Sequence, residues 1–324
     1  MKRCGIGFSG ELPLRDMIKY AKFSEEKGFE SIWMPEDYFL REAISPLTCF
    51  ALLTKKIKCA SGIVNPYTRN PVIVAITMAT LDELSNGRII LGIGTGARET
   101  VEKMGIPFKK PLMTIRESVH IIRQLLREGR VTFDGQIFKI HDVRLGFSPV
   151  RTRIPIYIAA IGPKMLQLAG EIGDGVLLTA GCSPEYVKYA VENVKIGAER
   201  AHRDPNEIDI ASHILYSVSE DLQVARNAVK KYLADYLTPL MLRLSGFNKA
   251  DTELLESALK RGNFLEASKY VLDVMVDAFA ASGNPERCQK KLREYEAAGV
   301  NLPVVNPIGT DIKLAIETVS RYIA

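Results

Sequence analysis

The chain has 324 residues, of which 47% are hydrophobic and 25% are charged, and its formal net charge is +5. This length and apolar content are sufficient for a large buried core, and the charged fraction is ordinary for a globular protein. Basic residues occur in short runs, which argues against a nucleic-acid-binding protein, and no apolar run is long enough for a transmembrane helix.

Short apolar runs alternate with stretches of helical periodicity along the chain. The apolar runs predict strands at 4–8, 31–34, 57–61, 89–93, 154–159, 175–179, 208–218 and 302–305. The periodic stretches predict helices at 14–27, 46–54, 71–84, 114–128, 163–172, 184–201, 222–236, 285–298 and 312–322. Eight strands, each followed by a helix, predict an α/β fold, a closed (β/α)8 TIM barrel forming one domain over residues 1–324.

Two segments do not fit a minimal barrel. Residues 131–149 predict a β-hairpin whose turn is formed by Asp134-Gly135. Residues 236–282 predict a mostly helical, amphipathic insertion before the eighth strand, broken at Gly246 and Gly262.

The cysteines and histidines bear on metal binding and cellular location. The five cysteines include no Cys-x-x-Cys pair and the four histidines lie far apart, so we expect no metal site. The start of the chain, Met1-Lys2-Arg3, leads directly into a strand-like run, which predicts no targeting segment and a cytoplasmic protein with reduced thiols. The mild positive charge favours an anionic small-molecule ligand.

Candidate site residues follow the predicted strands, because TIM-barrel sites form at the carboxyl ends of the strands. After the second strand, the adjacent carboxylates Glu36 and Asp37 are candidate catalytic groups for proton transfer. After the third strand, the flexible apolar segment Gly62-Ile63-Val64 suits the face of a flat ring. The polar residues that follow it are candidate substrate ligands: Asn65, Tyr67 and Arg69.

Three further strand ends offer cofactor-binding groups. Gly94-Thr95-Gly96 after the fourth strand lets backbone N–H groups approach an anion, although its spacing is not that of a dinucleotide-binding fingerprint. After the fifth strand, Ala160-Ile161-Gly162-Pro163-Lys164 opens directly into a helix, whose N-terminus favours phosphate. Thr179 ends the sixth strand.

Together these segments resemble the bacterial luciferase-like superfamily over essentially the whole chain, most closely its coenzyme F-420-dependent methylenetetrahydromethanopterin reductases. The resemblance is carried by the segments 65–71, 79–88, 91–96, 154–157, 162–166 and 169–175. It implies a homo-oligomer that binds the deazaflavin F-420 and a non-prolyl cis peptide at Gly62-Ile63 behind the cofactor ring. The implied reaction, part of one-carbon metabolism and methanogenesis, is hydride transfer between the deazaflavin and the methylene carbon of a pterin-type carrier.

Three positions depart from the family pattern. Family members commonly carry Asp-His where this chain has Glu36-Asp37, the reductases carry a glutamate in the first strand where this chain has Gly7, and Ala97 replaces a frequent acid. We expect Gly7 to open space in the barrel for a different substrate. Two alternatives therefore stay open: an FMN-dependent monooxygenase or other F-420 oxidoreductase of the same superfamily, and a non-catalytic flavin-binding paralogue.

Overall fold

The computed structural model describes residues 2–309 and 311–324. Its strands are β1 (Gly5–Gly7), β2 (Ser31–Met34), β3 (Lys58–Ser61), β4 (Ile89–Ile93), β5 (Arg130–Asp134), β6 (Lys139–Arg144), β7 (Ile156–Ala159), β8 (Gly175–Leu178), β9 (Asp209–Val218), β10 (Ala281–Gly283) and β11 (Leu302–Pro307).

The first seven helices are α1 (Leu14–Glu26), α2 (Ile44–Leu53), α3 (Pro71–Ser85), α4 (Arg98–Lys103), α5 (Pro111–Glu128), α6 (Pro163–Ile172) and α7 (Pro184–Arg200). The others are α8 (Leu222–Tyr236), α9 (Pro239–Leu244), α10 (Lys249–Lys260), α11 (Phe264–Ala267), α12 (Asp273–Phe279), α13 (Pro285–Ala297) and α14 (Ile312–Ile323).

Eight parallel strands form a closed barrel. They are hydrogen-bonded in the order β1, β2, β3, β4, β7, β8, β9 and β11, and β11 pairs with β1 to close the sheet. All eight strands expected from the apolar runs are present, so the TIM-barrel prediction is confirmed. Helices cover the outside of the barrel, which is why these short strands are apolar on both faces.

Two hydrophobic cores hold the barrel together. The outer core lies between the strands and the helices, and the smaller inner core fills the barrel. The rings of Trp33 and Tyr157 lie 5.4 Å apart in the inner core. The inner core consists of Trp33, Ala60, Ile90, Tyr157, Leu177, Ala211, Leu302 and Val304.

Glycines lie at the carboxyl ends of three of the first four barrel strands, β1, β3 and β4. A Cβ atom on Gly92 would lie 2.0 Å from the Ser61 carbonyl oxygen, so β3 and β4 approach more closely there than any side chain permits. A Cβ atom on Gly94 would lie 2.8 Å from the Ala159 Cβ. This end of the barrel is therefore bounded largely by backbone and by the loops that follow the strands.

The hairpin is confirmed, but its turn is not the Asp134-Gly135 pair that the sequence suggested. Strands β5 and β6 pair as far as Asp134 and Lys139, so the turn is the four residues 135–138, closed by a 2.9 Å hydrogen bond from Gly135 N to the Phe138 oxygen. The Glu117 carboxylate on α5 accepts hydrogen bonds of 2.7–3.0 Å from the N–H groups of residues 136–138. This acceptor stabilises a wider turn and is invisible to a local turn motif.

The insertion is helical as expected, except at its end. It contains α9 to α12, and Gly246 and Gly262 separate its helices with φ angles of +83° and +68°. Its last residues form β10, which pairs with the end of β9 and was not predicted; α4 was also missed. Within residues 2–309 and 311–324, no helix combines the length and apolar character needed to span a bilayer.

Candidate active site

Residues 62–64 follow β3 at the carboxyl end of the barrel, and we call this segment the bulge. The Gly62-Ile63 peptide bond is cis, which confirms the expectation from the resemblance. Ile63 is half-buried and packs against the inner core, and its Cγ1 lies 3.2 Å from the position of a Cβ on Gly94. We call this region, formed by Ile63, Gly94 and Ala159 with the loops around them, the strand-end site.

Backbone and side-chain hydrogen bonds attach the bulge to β4. The Ser61 hydroxyl donates to the Gly92 oxygen at 2.9 Å and accepts from the Gly92 N–H at 3.0 Å. Val64 N donates to the same Gly92 oxygen at 2.9 Å, and Gly94 N donates to the Val64 oxygen at 3.1 Å. The position of Ile63 is thus set by the contact between the two strands.

Val64 and Asn65 make their contacts within the protein. Both are fully buried, and Val64 belongs to the outer core. The Asn65 amide donates to the Thr95 oxygen at 2.8 Å and accepts from Tyr67 N at 2.9 Å. The Asn65 side chain therefore joins the loops after β3 and β4. A cofactor-binding role for Val64 and a substrate-binding role for Asn65 stay predictions.

Glu36 and Arg69, predicted as separate catalytic and substrate groups, form an ion pair. The Arg69 guanidinium donates to both carboxylate oxygens of Glu36 at 2.9–3.3 Å and to Glu42 at 3.1 Å. The Glu36 side chain is only 7% exposed. Because this carboxylate is held by two parallel hydrogen bonds, its main effect is to fix the loop that contains Arg69.

Asp37 has the environment of a proton donor. Its carboxylate accepts a 2.6 Å hydrogen bond from Gly10 N, which is the one hydrogen bond its side chain makes among the described residues. Burial raises the pKa of Asp37 above its usual range, although the Gly10 hydrogen bond acts in the opposite direction. A carboxyl group whose pKa is raised toward neutrality is suited to general acid catalysis.

Tyr67 contacts the segment before α5. Its hydroxyl donates to the Lys109 oxygen at 2.5 Å, and its ring lies 4.9 Å from the ring of Phe108. The Arg98 guanidinium lies over the other ring of this pair, 4.6 Å from the Phe108 centroid. The Tyr67 side chain therefore links the loop after β3 to the segment after α4.

The remaining predicted cofactor ligands lie around the strand ends. Gly94 is buried, Thr95 and Thr179 are half-buried, and Gly96 is exposed with a φ of +62°. Ala160 is buried, Gly162 is the N-cap of α6 without a side-chain cap, and Pro163 occupies the first turn. Ile161 and Lys164 are exposed. A cofactor role for all of these residues stays a prediction.

A histidine and an asparagine inside the barrel were missed. His213 on β9 and Asn306 on β11 are joined by a 2.8 Å hydrogen bond between Nδ1 and Oδ1. The sequence contained a signal for His213. Side chains alternate along a strand, so His213 faces the same way as Ala211, which lies two residues earlier and belongs to the inner core. The expectation that Gly7 opens space in the barrel was wrong. A Cβ on Gly7 would lie 2.6 Å from the Asn306 amide nitrogen, so the Asn306 side chain fills that volume.

His213 should make the folded protein sensitive to acid. Burial lowers its pKa from 6.5 to about 4, against the opposing effect of the Asn306 hydrogen bond. The unfolded chain therefore binds a proton below pH 6.5 that the folded chain does not bind until about pH 4, so stability falls as the pH drops through this window.

The expected loss from this one residue is on the order of 3 kcal/mol. Urea unfolding of the wild type and of His213→Leu at pH 7 and pH 4.5 measures it as the difference between the two pH dependences. Equal pH dependences would contradict the assignment of a neutral buried imidazole.

Comparison with known proteins gives full-length matches. The family model described as luciferase-like monooxygenase matches residues 5–302. A 5,10-methylenetetrahydromethanopterin reductase from Archaeoglobus fulgidus is 38% identical, with 98% of each chain covered, and one from Methanolobus tindarius is 36% identical, also with 98% of each covered. The structure of the coenzyme F-420-dependent tetrahydromethanopterin reductase from Methanopyrus kandleri superposes with a TM-score of 0.90 at 33% identity, covering 99% of this chain and 98% of that one.

Proposed function

Because this chain belongs to the luciferase-like monooxygenase family, we propose that it is a coenzyme F-420-dependent reductase acting on a methylenetetrahydromethanopterin-type carrier. The observation that carries this proposal is the 38% identity to a methylenetetrahydromethanopterin reductase over 98% of both chains. The similarity covers 98% of each of these two reductases, so it is not confined to one segment of either chain. FMN remains the alternative cofactor.

The strand-end site suits a flat, fused ring. Ile63, Gly94 and Ala159 pack closely into a small apolar surface, which suits the face of a flat ring. When bound, F-420 supplies or accepts a hydride at its ring carbon C5. Ile63 and Gly94 would hold the ring, and Asp37 would hold a proton for the pterin nitrogen.

The loops around the ring keep these groups in place. Arg69 and Glu36 fix the end of the loop after β3 relative to the loop after β2. Asn65 joins the loop after β3 to Thr95. Hydride transfer depends chiefly on orientation, and such links restrict the movement of the groups that orient the two reactants.

The test is a binding titration followed by turnover. Purified protein should change the fluorescence of F-420 and leave that of FMN unchanged. It should then oxidise reduced F-420 only when methylenetetrahydromethanopterin is added, and not with glucose 6-phosphate or a secondary alcohol. Binding of FMN alone with oxygen-dependent turnover would favour a monooxygenase, and binding of neither cofactor would favour a non-catalytic protein.

Lys164 should contribute to binding the anionic tail of the cofactor. Lys164 lies in the first turn of α6. The positive end of the helix dipole does not stabilise a cation at this position, so the lysine is better explained by binding an anion. Replacing Lys164 by alanine should weaken F-420 binding roughly tenfold, which corresponds to about 1.4 kcal/mol.

Fluorescence titration at fixed ionic strength measures this change. Lys260→Ala is the matched control, because Lys260 is an exposed lysine at the far end of α10 in the insertion. An affinity of Lys164→Ala equal to that of the control would place the anionic tail on another loop.

We propose further that the protein is a cytoplasmic homo-oligomer. Apolar side chains are exposed on neighbouring helices α2 and α3, where Leu52 is 60%, Leu53 44% and Ile73 52% exposed. Large apolar side chains exposed on two adjacent helices favour a protein interface on this face of the barrel. Light scattering should give a mass of at least two chains, and Leu52→Lys with Ile73→Lys should lower it; a monomeric wild type would contradict the proposal.

A further inference from the structure

Three strands cooperate to place a polar pair inside the barrel. His213 and Asn306 lie on neighbouring strands β9 and β11, and their side chains are hydrogen-bonded at 2.8 Å. Gly7 on β1 leaves the volume that the Asn306 amide occupies. The pair is therefore built by the fold and depends on a glycine on a third strand.

The free nitrogen of this pair points toward the bulge. The imidazole of His213 makes an edge-to-face contact with Trp33, with ring centroids 6.2 Å apart. Its Nε2 atom lies 3.2 Å from the position that a Cβ on Gly62 would take. The imidazole nitrogen thus lies beside Gly62, the residue that precedes Ile63 in the bulge.

The hydrogen bond to Asn306 determines what Nε2 can do. The amide oxygen Oδ1 can only accept a hydrogen bond, so Nδ1 of His213 carries the proton and Nε2 carries a lone pair. Within the described residues, Nε2 is buried and has no hydrogen-bond partner. A buried acceptor without a partner lowers stability, and an apolar side chain would fill the same place without that cost.

We propose that His213 is a specificity-determining residue of the strand-end site, whose neutral imidazole accepts a hydrogen bond from a ring N–H of a bound fused heterocycle. The contact is direct or passes through one bridging water. Asn306 is the positioning residue that fixes the tautomer. The proposal rests on the proposed function, which supplies two heterocycles with ring N–H groups, the deazaflavin cofactor and the pterin carrier.

Two substitutions of His213 separate hydrogen bonding from packing. His213→Leu removes the acceptor, and His213→Gln keeps a side-chain acceptor without a ring. The control is Leu302→Val, which perturbs the inner core on β11 without changing a polar group. For each protein we would measure the Kd of F-420 without pterin, the KM of methylenetetrahydromethanopterin at saturating F-420, and the Tm of the ligand-free protein at pH 7.

The expected result is a loss of binding without a loss of stability. His213→Leu should raise one of the two binding constants roughly tenfold, which is the effect of one hydrogen bond. Its ligand-free Tm should not fall, because an unpaired acceptor has been removed, and His213→Gln should recover part of the affinity. A change in the Kd of F-420 identifies the cofactor as the donor, and a change in KM alone identifies the pterin.

Other outcomes would overturn the proposal. If both constants of His213→Leu stay within about twofold of the wild type while the wild type binds F-420 and turns over, the acceptor serves a buried water only. If the Tm falls and the constants change as they do in Leu302→Val, His213 is a packing residue. If the wild type binds no F-420, the proposed function fails instead.

Discussion

Replacing Asp37 by asparagine should lower turnover about 100-fold, which is the contribution of one well-placed general acid. Asparagine has nearly the same shape, and its side-chain oxygen still accepts the hydrogen bond from Gly10 N. The variant therefore keeps the loop and loses only the proton. Its KM and its Tm should stay close to those of the wild type, because the substitution leaves packing unchanged.

The pH dependence of turnover tests whether Asp37 acts in its protonated form. Burial raises the pKa of Asp37, so its carboxyl group stays protonated to higher pH than an exposed aspartate would. Turnover of the wild type should fall as the pH rises through this pKa, and that limb should be missing from the profile of the variant. Steady-state assays of F-420H2 oxidation across the pH range measure both profiles.

Glu11 provides the control for Asp37. It is an exposed carboxylate at the same end of the barrel that accepts a hydrogen bond from Tyr232, and its charge contributes to the raised pKa of Asp37. Glu11→Gln should change turnover by less than about threefold, since exposed charges interact weakly. Full activity of Asp37→Asn would show that the proton comes from elsewhere.

Replacing Gly92 by alanine should lower the free energy of unfolding by about 3 kcal/mol and abolish F-420 binding. The added Cβ would lie 2.0 Å from the Ser61 carbonyl oxygen, and a backbone atom cannot rotate away as a flexible side chain can. β3 and β4 must separate at the point where Ser61 and Val64 are hydrogen-bonded to Gly92. Because those bonds position Ile63, the same separation moves the bulge.

Urea unfolding and F-420 titration measure the two effects. Gly146→Ala is the matched control, since Gly146 is exposed after β6 and a Cβ there has no atom within 4 Å. Its unfolding free energy should stay within about 0.5 kcal/mol of the wild type. A Gly92→Ala protein as stable as this control would mean that β3 and β4 can separate at no cost.

The fold was predictable because its signals are local. Each barrel strand is a short apolar run between helices, and prolines mark the starts of helices such as α6 and α7. The misses depend on distant partners. β10 is three residues long and exists because it pairs with β9, and the turn 135–138 is held by Glu117 on α5.

The candidate site was predictable as a set of loops and not as a set of contacts. The barrel rule placed Glu36, Asp37, Ile63 and Arg69 after the carboxyl ends of their strands, where the structure has them. It could not show that Glu36 and Arg69, 33 positions apart, would bind each other. Nor could it show that His213 and Asn306, 93 positions apart, would pair, because such pairing follows from the strand order of the closed barrel.

The contact between Gly7 and Asn306 makes their two positions interdependent. Since the Asn306 amide occupies the volume of any side chain at position 7, a larger residue on β1 requires the end of the Asn306 side chain to move. A single exchange at either position leaves a clash or a void, whereas a reciprocal exchange keeps the barrel filled. Natural or laboratory variation at this end of the barrel should therefore proceed through paired substitutions at 7 and 306.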